Sequence, residues 1–166
     1  MVRINVPQIG NVDIYNTHYQ ATIQAEDLRV MDNKEFSILF AKNDVGNPTI
    51  ATGDFNFSNY DETDKTSKSY TDFMRRFNPI DTFRVTHPGL PGFTNDPKVN
   101  PYAAKDDKQQ RLDYIFAFPE HRGVTTRDVN YKIEVVESKI MFTEPVRGKF
   151  LSDHFGITTT FRFYLK

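Results

Sequence analysis

Asp113 stands between Leu112 and Tyr114 in an otherwise apolar run from Leu112 to Phe118. A short apolar run of this kind reads as a strand. A carboxylate inside such a strand is a costly charge unless a partner meets it. The chain must therefore fold so that a cation or an imidazole reaches Asp113, and that partner has to come from a distant segment.

The rest of the chain alternates strand and helix patterns. Val2, Ile4 and Val6 alternate with polar residues, a turn follows at Gly10-Asn11, and Val12, Ile14 and Tyr15 complete a hairpin that runs into Asn16-Thr17-His18. From Glu26 to Asn43, Leu28, Met31, Phe36, Leu39 and Phe40 recur at roughly helical spacing. Gly46, Asn47 and Pro48 break that helix, and Thr49 to Thr52 form a short strand ending at Gly53-Asp54-Phe55-Asn56. The pattern predicts a second helix from about Ser67 to Phe77, stopped before Pro79. Residues 87–108 are rich in proline and glycine without periodicity, a long loop of the sort that is often functional. Further strands are expected from Lys132 to Phe142 and from Phe155 to Tyr164. This mixture predicts an α/β protein whose sheets are covered by helices.

Composition narrows the function classes. With 166 residues, 38% of them hydrophobic and 15 phenylalanines, the chain is one domain's worth with a packed core. The formal net charge of −1 removes the simple electrostatic case for a nucleic-acid partner. No apolar run is long enough to span a bilayer, so no transmembrane segment is expected. The start has no charged leader followed by an apolar stretch. The absence of cysteine excludes disulfides and thiolate metal sites.

Four clusters place acceptors or imidazoles at strand ends, where α/β folds tend to build their sites. They are Thr17-His18, Gly53-Asp54-Phe55-Asn56, Leu112-Asp113-Tyr114 and Ser152-Asp153-His154. Each has an ordinary reading. Gly-Asp-x-Asn is a common capped turn, and a single strand-end histidine is commonly a satisfied surface or core group. His87 and His121 read as solvent-facing. Asp61-Glu62-Thr63-Asp64 reads as a solvated loop. Arg75-Arg76 suits the C-terminal end of a helix as readily as a phosphate contact.

In this order and spacing, the four clusters resemble the endonuclease/exonuclease/phosphatase superfamily, which includes deoxyribonuclease I, abasic-site endonucleases, inositol polyphosphate 5-phosphatases and neutral sphingomyelinases. The resemblance runs from about Val2 to Tyr164. It implies a four-layer α/β-sandwich of the DNase-I-like type, here lacking its N-terminal strands, with residues 1–166 as the C-terminal portion of a single domain. It also implies hydrolysis of a phosphate ester around Mg²⁺, with Mn²⁺ or Ca²⁺ as substitutes. By the same resemblance, Asp54 would position the attacking water, Asn56 would hold a phosphate oxygen, and His18 would bond the phosphoryl oxygens. His154 would act as general base with Asp113 accepting its other ring N–H, and Asp153 would bind the metal directly or through water.

The family normally supplies an Asn near its first strand and a metal-binding Glu, both upstream of these clusters. Glu26, Glu35 and Glu62 lie in the wrong places to replace that Glu. The expectation is therefore weak Mg²⁺ binding and little turnover from this chain alone. Asn16 to Ala21, Ala25 to Arg29, Gly53 to Phe57, Asp81 to Arg84 and Gln110 to Ile115 resemble the neutral sphingomyelinase branch. That implies a phosphodiesterase releasing phosphocholine from sphingomyelin at a membrane surface, with Leu90, Phe93 and Tyr102 as an apolar rim. The alternatives are a Mg²⁺-dependent nuclease or DNA-repair phosphodiesterase, an inositol-phosphate phosphatase, and a catalytically inactive interaction module.

Overall fold

The structure is a computed structural model that describes residues 1–59, 65–121, 125 and 129–165. A hairpin of β1 (Val2–Val6) and β2 (Gly10–His18) leads into helix α1 (Glu26–Asn43) and strand β3 (Thr49–Asp54). Helix α2 (Lys68–Phe77), the short β4 (Ile80–Asp81) and α3 (Thr82–Thr86) follow. The long loop then gives way to β5 (Asp113–Phe118), β6 (Tyr131–Met141) and β7 (Gly156–Leu165). The main sheet has the order β1-β2-β3-β5-β4, and β6 and β7 form a second, two-stranded sheet.

Strand alternation divides the sequence between the two faces of the main sheet. Tyr15, Ala51 and Phe116 are register partners on β2, β3 and β5. With Tyr114 and Phe118 they face Phe36 and Phe40 of α1 and Tyr70, Phe73 and Phe77 of α2 in one aromatic core. Ring pairs such as Phe55–Phe116 at 5.2 Å and 85° take the edge-to-face geometry that aromatic quadrupoles favour. On the opposite face, Ala117 meets Tyr131 and Ile133 of β6, with Phe161 and Phe163 of β7 packed alongside. Among the described residues the layers are thus helices, main sheet and second sheet, three of the four layers of the α/β sandwich that the family resemblance implies.

The termini of α2 follow from local chemistry. Ser67 caps its start by accepting from the Tyr70 amide, and Asn78 ends it in the left-handed region at φ 46°. Helix α1 forms where its periodicity places it but presents a different face. Leu28, Met31 and Leu39 are exposed, whereas Arg29, Asn33, Phe36 and Phe40 are buried. The two polar residues can go inside because their buried donors find acceptors there, although Asn33 Oδ1 has no hydrogen-bond partner among the described residues. Asn33 donates to Ser69 O and Asp72 Oδ2, each at 3.0 Å, and Arg29 donates to the carbonyls of Gln20 and Thr22 and to Glu26.

Two histidines depart from their expected solvent-facing placement. His121 is 1% exposed and sits 2.7 Å from Asp44 through Nδ1, with its ring edge-on to Phe40. His87 is half-buried, stacked on Phe83 at 4.6 Å. Arg75 and Arg76 pair with Asp72 one turn back on their own helix. Asp61 to Asp64 lie outside the described residues.

Candidate active site

The main sheet brings three of the four clusters into one row. His18 is the register partner of Asp54, and Asp54 is the register partner of Asp113, across β2, β3 and β5. Each lies three residues from a member of the Tyr15–Ala51–Phe116 row, an odd offset that turns it away from the aromatic core. The core thus fixes the strands while their ends present polar groups to the other side.

Gly53 makes the row close enough to matter. It has φ +136°, and a Cβ there would run into the backbone of Thr17 on the neighbouring strand. Glycine alone permits both that conformation and that approach. Next to it, Asp54 Oδ1 accepts from the Asn56 amide at 2.8 Å, and Asn56 Nδ2 donates to Tyr19 O at 3.1 Å. The Gly-Asp-x-Asn turn is therefore a capped turn that also aims a carboxylate. One Nδ2 hydrogen of Asn56 remains beyond its bond to Tyr19.

The fourth cluster arrives from the segment before β7. His154 Nδ1 lies 2.9 Å from Asp113 Oδ2 and 4.0 Å from Asp54 Oδ2. An ionised carboxylate can only accept, so Nδ1 carries the proton and Nε2 is left for chemistry. The imidazole anticipated from Asp113's place in an apolar strand is His154. His18 Nε2 stands 3.5 Å from Asp54 Oδ2 and is largely exposed. His18, Asp54, Asn56, Asp153 and His154 all line one open cavity of about 650 Å³.

The electrostatics of this cluster favour a cation. Burial, reinforced by the like charge of Asp113, pushes the Asp54 carboxyl above its ordinary range. The hydrogen bond to Asp113 holds His154 above its ordinary value, against the opposing effect of burial. Burial works most strongly on Asp153, to raise it, but the Ser152 hydroxyl, backbone amides and the charge of His154 together outweigh it and the carboxyl ends below its usual value. Among the described residues, Asp54, Asp113 and His154 bring ligand atoms within 4.8 Å of one another. Crowded carboxylates of this kind fit a hard divalent ion, which commonly takes one or two carboxylates and completes its shell with water and phosphate oxygens. Asp153 lines the same cavity outside that triplet, which suits contact through water.

Glu26 lines the cavity as well, yet its carboxylate is committed elsewhere. It accepts from the Ser69 amide at 2.5 Å, the Ser69 hydroxyl at 3.0 Å and the Arg29 guanidinium at 2.8 Å. Two other buried residues, Thr94 and Asn100, were not anticipated from the residue pattern. They lie in the aperiodic loop and bond the backbone on either side of the Asp113–His154 contact. Only their polarity between prolines could have flagged them.

No protein-family model matches the chain. One curated relative, an uncharacterized protein of Dictyostelium discoideum, is 31% identical over 86 residues, a stretch covering 48% of this chain and 8% of that protein. Among solved structures, the D. rerio TDP2 complexed with a single strand DNA product superposes with a TM-score of 0.71 at 15% identity, over 96% of this chain and 59% of that one. An endonuclease/exonuclease/phosphatase family protein from Leptotrichia buccalis gives 0.64 at 23% identity, over 96% and 52%. An endonuclease/exonuclease/phosphatase from Beutenbergia cavernae gives 0.61 at 23% identity, over 96% and 38%. The fold is the one these proteins share, and the chain spans roughly half the length of the structures it matches.

Proposed function

We propose that this chain carries the catalytic groups of a metal-dependent phosphoric ester hydrolase of the endonuclease/exonuclease/phosphatase superfamily. The substrate we assign is a phospholipid diester of the sphingomyelin type, cleaved with release of the phosphorylated headgroup. The observation that supports this most is the row His18–Asp54–Asp113, completed by His154 bonded to Asp113. Since the chain spans about half the length of the matching structures, it corresponds on this reading to a portion of one such domain.

Each residue has a task that its geometry allows. Neutral His154 takes a proton from the attacking water through Nε2, while Asp113 holds the ring and stabilises the imidazolium that results. The bond from phosphorus to the lipid alcohol oxygen breaks as the water attacks, and that oxygen takes a proton from solvent. Asp54 orients that water. His18 and the remaining amide hydrogen of Asn56 donate to phosphoryl oxygens. Asp54, with Asp153 through water, would hold Mg²⁺, and the ion when bound offsets phosphate oxygen charge. Positioning and electrostatics therefore carry the reaction, as phosphoryl chemistry requires.

The lipid assignment draws on the resemblance of the strand-end segments to neutral sphingomyelinases and on exposed apolar side chains in the loop after α3 and just before Asp153. Of the three residues expected to form the rim, Leu90 and Tyr102 are 54% and 52% exposed and Phe93 is half-buried, while Leu151, two residues before Asp153, is 62% exposed. Such a rim suits an acyl–water boundary. A second reading, a DNA phosphodiesterase, is favoured by the fold match to TDP2 in complex with a DNA product.

The test uses the longest polypeptide encoded at the locus of this chain. It would be incubated with sphingomyelin vesicles, nicked or abasic DNA, and inositol polyphosphates, each with Mg²⁺ or with a chelator. Release of phosphocholine that needs Mg²⁺ and exceeds turnover of the others is the expected result. Preferred cleavage of DNA would select the second reading. No cleavage of any substrate would sink the hydrolase and leave an interaction module.

A further inference from the structure

The Asp113–His154 contact joins two segments that are 41 residues apart in sequence. His154 is outside any strand, so the sheet ladder does not hold it there. The hydrogen bonds that do hold it come from the aperiodic loop between α3 and β5.

Thr94 is fully buried. Its Oγ1 accepts from the backbone amides of Leu112 and Asp113, each at 3.1 Å. A hydroxyl oxygen has two lone pairs, so one side chain satisfies both amides at the point where β5 begins. The carbonyl of the same residue accepts from the Phe155 amide at 2.7 Å, immediately after His154, and its own amide donates to Gln110 O at 3.0 Å. A single residue thereby registers the carboxylate segment against the imidazole segment.

Asn100, also fully buried, reinforces the second half. Its Nδ2 donates to Ser152 O at 2.8 Å and Asp153 O at 3.0 Å, and its Oδ1 accepts from the Tyr102 amide at 3.0 Å within its own loop. We infer that Thr94, seconded by Asn100, is a positioning residue that sets the distance between Asp113 and His154, making residues 94–100 a brace rather than a lid. Neither side chain touches the reacting atoms. Their effect is geometric, and a displacement of about 1 Å in a catalytic pair can lower turnover by on the order of 10².

This inference rests on the roles proposed above for Asp113 and His154, so its test has one arm that needs no substrate. Crystal structures of Thr94→Val, Thr94→Ser and Asn100→Asp would be compared with the parent. Valine keeps the shape and removes the acceptor, serine keeps the acceptor, and aspartate turns the Asn100 donor into an acceptor facing two carbonyls. The Asp113–His154 contact should open past hydrogen-bond distance in Thr94→Val and Asn100→Asp and persist in Thr94→Ser. An unchanged contact in both Thr94→Val and Asn100→Asp would overturn the brace, and Asn100→Asp decides the matter if Thr94→Val does not fold. In the kinetic arm, Thr94→Val should lower kcat by roughly 10-fold or more with KM little changed, and Thr94→Ser should restore it. Equal losses in the valine and serine variants, or a loss carried by KM, would also overturn it. A parent that hydrolyses none of the substrates would defeat the proposed function while the structural arm still judges the brace.

Discussion

His154 Nδ1 and Asp113 Oδ2 are 2.9 Å apart, a contact that fixes the tautomer of the ring and raises its basicity. A general base must be neutral to accept a proton, and the raised value places the rising limb of kcat/KM above the ordinary histidine range. Asp113→Asn removes the carboxylate, so turnover should fall and the rising limb should move down toward 6.5, the reference value of the free group. A pH–rate profile checks both. An active Asp113→Asn variant with an unshifted profile contradicts the pairing.

His154→Ala should lower kcat by on the order of 10²–10⁴, the usual contribution of a positioned acid–base group. Steady-state kinetics on whichever substrate proves active measure the loss. A decrease of less than about threefold would remove His154 from the mechanism.

Asp54→Asn should stabilise the metal-free protein at neutral pH while abolishing turnover, a trade between stability and function. The sign follows from linkage. Asp54 has a folded-state value raised above its unfolded one, so its contribution is most favourable below the unfolded value and declines as pH rises through the folded one. Neutralisation should therefore raise the thermal midpoint at pH 7, with the advantage fading in acid. Added Mg²⁺ should raise the midpoint of the parent more than that of the variant, and thermal melts with and without the ion test both claims.

Arg111 is fully buried and forms a bidentate pair with Asp81 while also bonding Asn59. Arg111→Leu leaves the Asp81 charge buried with a partner missing. The expected loss of stability is about 3–5 kcal/mol, read as a lower midpoint in urea unfolding. Within 1 kcal/mol of the parent, the pair would be structurally dispensable.

Gly53→Ala should disrupt the site through the backbone, because the added methyl meets the Thr17 carbonyl at a φ of +136°. Separation of β2 from β3 would move His18 away from Asp54, and binding of inorganic phosphate in the presence of Mg²⁺ should be lost before the fold is. Retained binding in a folded Gly53→Ala protein would show that the strand approach is not needed.

Most of the architecture was legible in the residue pattern. The hairpin, α1, β3, α2, β5, β6 and β7 all fall within a few residues of where periodicity puts them, because apolar spacing reports which side of an element meets the core. Among the described residues β4 and α3 were missed, at two and five residues too short to show a period, as was the 3-10 turn Ile23–Ala25. The buried face of α1 was also misread. Periodicity counts apolar residues and has no means of seeing that the donors of Arg29 and Asn33 would find acceptors inside. The same blindness put His121 in solvent, although Asp44 awaited it 77 positions away.

The sequence by itself determined which groups could act, since the need of Asp113 for a partner and the acceptors at strand ends are properties of local pattern and residue chemistry. Only the tertiary structure decided which of them meet. Register across β2, β3 and β5 put His18, Asp54 and Asp113 in one row, and Thr94 drew His154 to its end. Those relations depend on hydrogen bonds between segments tens of residues apart, and local patterning contains no information about such distances.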